Sequence, residues 1–261
     1  MMLDMKYFNV YYFCQLAYNN VMNNEIGNPI CIFVDSFYQV EPENFSEESV
    51  LRSFCCWLVD TVFFEQANYM NNKDVETDLD FNPFTWSIQG IKIYFNNEIN
   101  LSKWKDEYYE LNDTNIDYLD MYCQFTEFID KAHDGLFSNF TYQLACEVEY
   151  ILFQNRAFLL ELNKFFAMPF ENNIQKRSYI PKWVKRAITF RDRGKCVFCG
   201  KDLSGFNSLL PDGEIHFDHI VPLEQGGIND VCNMQLSCKI CNLEKHTNAL
   251  TNNYYQMPYF K

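Results

Sequence analysis

No apolar run in this chain of 261 residues is long enough to cross a membrane. Its richest stretch, residues 50–64, is broken by Arg52 and Asp60, whereas a span takes about 20 apolar residues. The opening MMLDMKYFNV carries an acid early and no small-residue cleavage site, so it does not read as a secretory signal. The 11 cysteines lack the even spacing of a disulfide framework, and a reducing cytoplasm is the expected compartment. Internal repeats and low-complexity tracts are absent. Basic residues are in short supply, 21 against 35 acids, and a net charge of -14 argues against a uniformly basic nucleic-acid binder. What is abundant is apolar mass. Hydrophobic residues make up 48 % of the chain and aromatics 18 %, enough for a sizeable core and incompatible with global disorder.

The charge is unevenly divided. Residues 1–175 hold 9 Lys and Arg against 27 acids, whereas residues 176–261 hold 12 against 8. This asymmetry predicts two domains with different partners: an acidic body over 1–175 and a basic tail over 176–261. In the body, Ser46 followed by two glutamates reads as a helix N-cap, with a helix over 47–69 behind it. A second helix is expected over 114–133. A third, the longest, is expected over 139–167 and stops at Met168-Pro169. Short strands are expected at Ile30–Val34 and Ile91–Phe95, and a loop from Asn71 to Trp86. The Phe and Tyr stripes of this part read as core, and nothing in it points to a chemistry beyond the docking of a regulator or protein partner.

The tail carries the chemical signals. A helix is expected to open at Pro181 and end at Gly194. Two Cys-x-x-Cys pairs, Cys196/Cys199 and Cys238/Cys241, have the form of knuckles that deliver four thiolates to one tetrahedral zinc. The alternative is four buried, unpaired cysteines, and Cys232 falls outside the pattern. Between the knuckles, a strand over Ile215, Phe217 and their polar neighbours ends at Pro222, and Gly226-Gly227 supplies a turn. Asn242, Lys245 and His246 fall on an expected helix, with Asn242 and His246 four apart and so on one face. That face and the strand carrying Asp218 and His219 could enclose a metal ion. Lys182, Lys185, Arg186, Arg191, Lys195 and Lys245 are candidate phosphate contacts, although singly each reads as a solvated charge.

The strings RDRGKCVFCG, FDHIVPLEQGG and NDVCNMQLSCKICNLEKH, in that order, resemble the HNH endonucleases, whose ββα-metal fold is shared with colicin DNases. The resemblance covers about residues 179–250. It implies an α+β chain, a mostly helical acidic domain followed by a small zinc-stapled ββα-metal module that hydrolyses DNA phosphodiesters with Mg²⁺ or another divalent ion. It further implies Asp218 as metal-binding acid, His219 as general base, and Asn233 as the residue that pins the hairpin loop and orients the His219 ring. Asn242 matches a position that touches the metal, and His246 a second metal histidine of the colicin branch; the ion is held by Asp218 and Asn242 with or without His246. His216 is a rival base or ligand that the resemblance does not require. The context implied is a bacterial or phage restriction or antiviral defence effector with DNA as partner and no membrane. The reading from another class is a zinc-dependent binding or interaction module without catalysis.

Overall fold

A computed structural model describes residues 4–22, 33–34, 44–71, 82–100, 104, 108, 117–167, 175–205 and 214–253. Its elements run α1 (Val10–Met22), α2 (Val50–Tyr69), α3 (Pro83–Phe95), α4 (Tyr118–Ala132), α5 (Leu136–Phe153), α6 (Arg156–Ala167), α7 (Lys182–Arg191), β1 (Ile215–His219), β2 (Met234–Cys238) and α8 (Lys239–Lys245). The described residues are thus mostly helical with one two-stranded antiparallel sheet, the α+β arrangement expected. Among the described residues no helix is long and apolar enough to cross a membrane.

Local chemistry explains the boundaries, including those the sequence reading misplaced. Helix α2 is where it was expected, but its first turn is held by Ser49 rather than Ser46. The Ser49 hydroxyl accepts from Arg52 N at 3.0 Å, and the Asp230 carboxylate accepts from Val50 N at 3.0 Å. The expected strand Ile91–Phe95 is the end of α3. Asn82 accepts from Thr85 N, Pro83 occupies the first turn, and Pro83, Ser87, Gly90 and Ile91 are buried at helical spacing. The same helix takes residues 83–86 out of the expected loop, whose residues 72–81 lie outside the described ones. Of the expected strand Ile30–Val34, Phe33 and Val34 are helical and the rest lies outside the described residues. The single long helix over 139–167 is two. The chain leaves the helical path at Gln154-Asn155, and the Asn155 side chain accepts from Phe158 N to start α6.

The chain divides into two compact units, residues 1–13 with 55–148, and residues 14–54 with 149–261. This division does not follow the 175/176 charge boundary. In the first unit the core is aromatic: Phe13 stacks on Phe63 at 6.0 Å, and Phe63, Phe137 and Phe140 meet edge to face. In the second unit the β1–β2 hairpin packs its apolar face, with Phe217, Met234, Leu236 and Cys238, against Val184 and Ile188 of α7. Helix α6 is joined to the hairpin loop by Asn163, whose amide donates to Cys232 O at 3.1 Å, and to the end of α7 by the buried Arg156–Asp192 pair at 3.0 Å. These contacts are the physical reason that residues N-terminal to 176 fall in one unit with the tail.

Candidate HNH site

The hairpin has two chemically different ends. Its register pairs Ile215 with Cys238 and His219 with Met234, so the strand end that carries the second cysteine pair is opposite the end that carries His219. At the first end the Sγ atoms of Cys196, Cys199, Cys238 and Cys241 all lie within 4.8 Å of one another, Cys199 and Cys238 at 3.9 Å. Four thiolates around one tetrahedral zinc, each at about 2.3 Å, stand about 3.8 Å apart, so the quartet fits that ion. Burial works against ionising Cys196, but N–H groups of Cys199, Cys238 and Phe198 outweigh it and hold its thiol below the ordinary value. Cys232 is not part of the group; it is fully buried, and burial pushes its thiol far up.

At the other end, alternation along β1 sends Asp218 and His219 to opposite faces. Asp218 faces α8. Its Oδ2 accepts from Lys245 Nζ at 3.1 Å and from Gln235 Nε2 at 3.0 Å, and burial raises its carboxyl despite both. Two residues before it on that face, His216 Nδ1 is 3.4 Å from Asn242 Nδ2, and His216 Nε2 is buried without a hydrogen-bond partner. His219 faces the other way and is buried. Its Nε2 lies 3.2 Å from Asn229 Oδ1. Burial drives the imidazole down to about 4; the Asn229 bond opposes this, and the charges of Arg177 and Lys245 add to it. The charge of the exposed Arg177, on a segment that precedes α7, acts on Asp218 as well.

Asn233 is bonded across the loop. Its Oδ1 accepts from Val221 N, and its Nδ2 donates to Val221 O and Ile228 O. The turn it closes requires Gly227, where a Cβ would stand 2.0 Å from Val221 O. The ring-orienting half of the Asn233 expectation goes instead to Asn229. Four residues away, Asn229 holds the His219 ring and is itself tied to Asn44 Oδ1, Gln175 Oε1 and Lys176 O. Asn229 is visible in the sequence only as the first residue of the NDVCNMQLSCKICNLEKH string, with no role attached.

Three other expected contacts are placed differently. Lys245 is buried, its ammonium donating to Asp218 Oδ2 and to His219 O at 2.7 Å, so it is not a surface phosphate contact. Arg191 is buried as well, bound to the Asp192 carboxylate and to Met234 O. His246 ends α8 at φ 52° and is exposed, its Nδ1 bonded to Thr247 Oγ1. A residue that leaves the helical path no longer shares the face of Asn242. Among the described residues, the cysteine quartet is the group of three or more Cys, His, Asp or Glu ligand atoms gathered closely enough for a metal. Lys182, Arg186 and Lys195 are exposed, and the Lys185 ammonium lies over the Tyr179 and Phe217 rings at 5.6 and 5.8 Å.

No curated protein and no solved structure matches the chain. Residues 196–248 match the family model described as HNH endonuclease. That interval starts at the first cysteine of the quartet and takes in β1, β2, α8, Asp218, His219, Asn229 and Asn233. The hairpin with the cysteine quartet at one end and an Asp-His pair at the other is therefore an HNH endonuclease domain within the second unit of the chain.

Proposed function

We propose that this protein is an endonuclease that hydrolyses DNA phosphodiester bonds at the His219 end of the hairpin. The observation that carries the reading is the state of His219. Its Nε2 faces Asn229 Oδ1 at 3.2 Å, which leaves the Nδ1 lone pair to take a proton, and burial favours the neutral ring. A water deprotonated there attacks the phosphorus, and the bond to the 3′ oxygen breaks as its electron pair leaves with that oxygen. Arg177, whose charge reaches both Asp218 and His219, would add positive charge for the phosphate.

Asp218 Oδ1 and His216 Nε2 have no hydrogen-bond partner among the described residues, and Asn242 stands opposite His216. These donors fit one divalent ion completed by water, with His216 rather than His246 as the accompanying histidine. Asp218, Asn242 and His216 would hold it, and when bound it supplies positive charge to the phosphate and the leaving oxygen. At the other end the quartet would hold zinc as a staple that takes no part in the reaction. A role as a bacterial or phage restriction or antiviral defence effector, acting in the cytoplasm, is supported by the resemblance alone, an HNH module joined to an unrelated acidic body that could dock a protein partner.

The test is nicking of supercoiled plasmid by the purified full chain with Mg²⁺ and with a chelator. His219→Ala is expected to abolish cutting while DNA affinity and zinc content stay at the parental level. A second reading, a nucleic-acid-binding module without catalysis, draws on the ammonium of Lys245 already standing against Asp218. DNA binding with no nicking under any divalent ion would establish that reading in place of the first.

A further inference from the structure

Two aromatic rings on the second unit stand in solvent without a structural task. Phe190 is 82 % exposed and Tyr179 73 %, more than any other large apolar side chain among the described residues. Helix α7 explains why Phe190 contributes nothing to the fold. Val184, Ile188 and Arg191 form its buried face, and Phe190 projects from the opposite side in register with Lys182 and Arg186, at four-residue steps.

The surroundings are cationic. Residues 176–195 hold eight Lys and Arg against one acid, Asp192, and that acid is buried and bonded to Arg156 and Arg191. A hollow of about 870 Å³ lies along this helix, lined among others by Lys185, Arg186, Phe190 and Arg193. An isolated exposed ring is ordinary. Two such rings with a lysine ammonium over one of them, on a segment whose one acid is buried, are a different combination, and the exposed Asp202 at the rim is itself bonded to Ser204. The core of a protein–protein contact is depleted in charge, which argues against an apolar protein partner here.

We infer that this hollow seats an unpaired nucleotide, with its base stacked on Phe190 and the flanking phosphates held by Lys185, Arg186 and Arg193. A ring face has no hydrogen-bond donor with which to read base edges in a groove. It can be used only by a base that has left the stack, and every base has a π-face to offer. The preferred substrate is accordingly single-stranded or locally unpaired DNA, such as a bulge or a fork. This inference rests on the nuclease reading for the class of ligand and adds to it the form of DNA and the residue that selects it.

The experiment uses the full zinc-loaded chain carrying His219→Ala, so that binding is read without cutting. The probes are a matched duplex and the same duplex with one bulged 2-aminopurine. Bulged DNA is expected to bind more tightly than the duplex, with quenching of 2-aminopurine on binding. Phe190→Ala is expected to lower affinity for the bulged probe by roughly 5- to 150-fold and for the duplex by less than about 2-fold. Phe190→Trp should retain the preference. Arg186→Gln should weaken both probes alike and reduce the salt slope by about one.

Equal affinity for the two probes, or no selective effect of Phe190→Ala, overturns the nucleotide seat. Plasmid nicking by the otherwise unaltered chain is scored separately, so a seat that fails leaves the nuclease reading standing. Absence of binding to any DNA overturns both.

Discussion

His219 Nε2 lies 3.2 Å from Asn229 Oδ1, and the orientation of that amide is fixed from behind. The Asn229 nitrogen donates to Asn44 Oδ1 at 2.8 Å and to Lys176 O at 2.9 Å, so its oxygen must be the atom that faces the ring. The ring nitrogen opposite an amide oxygen carries the proton, and Nδ1 keeps the lone pair. On the proposed reading Asn229 is thus a positioning residue for the base. Asn229→Ala should lower kcat by about 10- to 100-fold with little change in KM. Asn229→Asp, which puts a negative charge against the imidazole, should also move the acid limb of the pH–rate profile upward. A fall in activity with an unmoved pH profile in both variants would reduce Asn229 to a packing role.

The unaltered chain should keep its base at unusually low pH. Burial lowers the His219 imidazole to about 4, so it stays unprotonated, and able to accept a proton, down to that value. Activity should therefore be held as pH falls through 6 and be lost only near 4, as read from kcat/KM against pH. Arg177 contributes to the lowering, so Arg177→Gln should shift that limb toward neutrality while weakening phosphate binding. An acid limb near the ordinary histidine value in the parent would show that the ring is solvated in the working enzyme.

Elemental analysis should find one zinc per chain. Cys238 is both a quartet member and the residue that joins β2 to α8, so losing its sulfur disturbs the strand and the helix together. Cys238→Ser should lose the metal and lower the melting temperature of the second unit, because binding energy of a structural zinc is folding energy. A zinc-free protein with an unchanged melting curve would refute the staple.

The legible parts of this molecule were those written in contiguous residues. The two Cys-x-x-Cys knuckles are legible because their spacing is their chemistry, and α2 because its apolar period runs without interruption. The break at Gln154-Asn155 was hidden because Tyr150, Leu152, Phe153 and Phe158 keep an apolar texture across it, and one capping amide decides the matter. Ile91 and Ile93 alternate like a strand, yet the cap at Asn82 and Pro83 had already set the helix.

Long-range partners were the least visible. Asn229 meets Asn44 from 185 residues away. Lys245 and Arg191 read as surface cations because nothing near them in sequence shows that Asp218 stands against one and that both are buried.

The same long-range contacts decide whether residues 176–261 can fold by themselves. In the full chain Asp192 is fully buried, and Arg156, itself 1 % exposed, donates to it at 3.0 Å while Arg191 and Leu236 N hold its remaining lone pairs. Asp230 is buried too, and half of its task is to accept from Val50 N. Asn229 would lose Asn44 and Gln175, and the Cys232 carbonyl would lose Asn163. Removing one member of a buried ion pair costs about 3–5 kcal/mol, and a lost cap about 1 kcal/mol. Against a small domain's total stability of roughly 5–15 kcal/mol, losses on this scale leave little. A fragment that starts at Lys176 should bind zinc yet show no cooperative melt, and it should bind a hydrophobic dye where the full chain does not. Within the full chain, Arg156→Ala should be more damaging to the melting temperature than Arg156→Met, which keeps the apolar stem. A fragment with a sharp transition and the nicking activity of the parent would show that the contacts to Val50, Arg156 and Asn163 are dispensable.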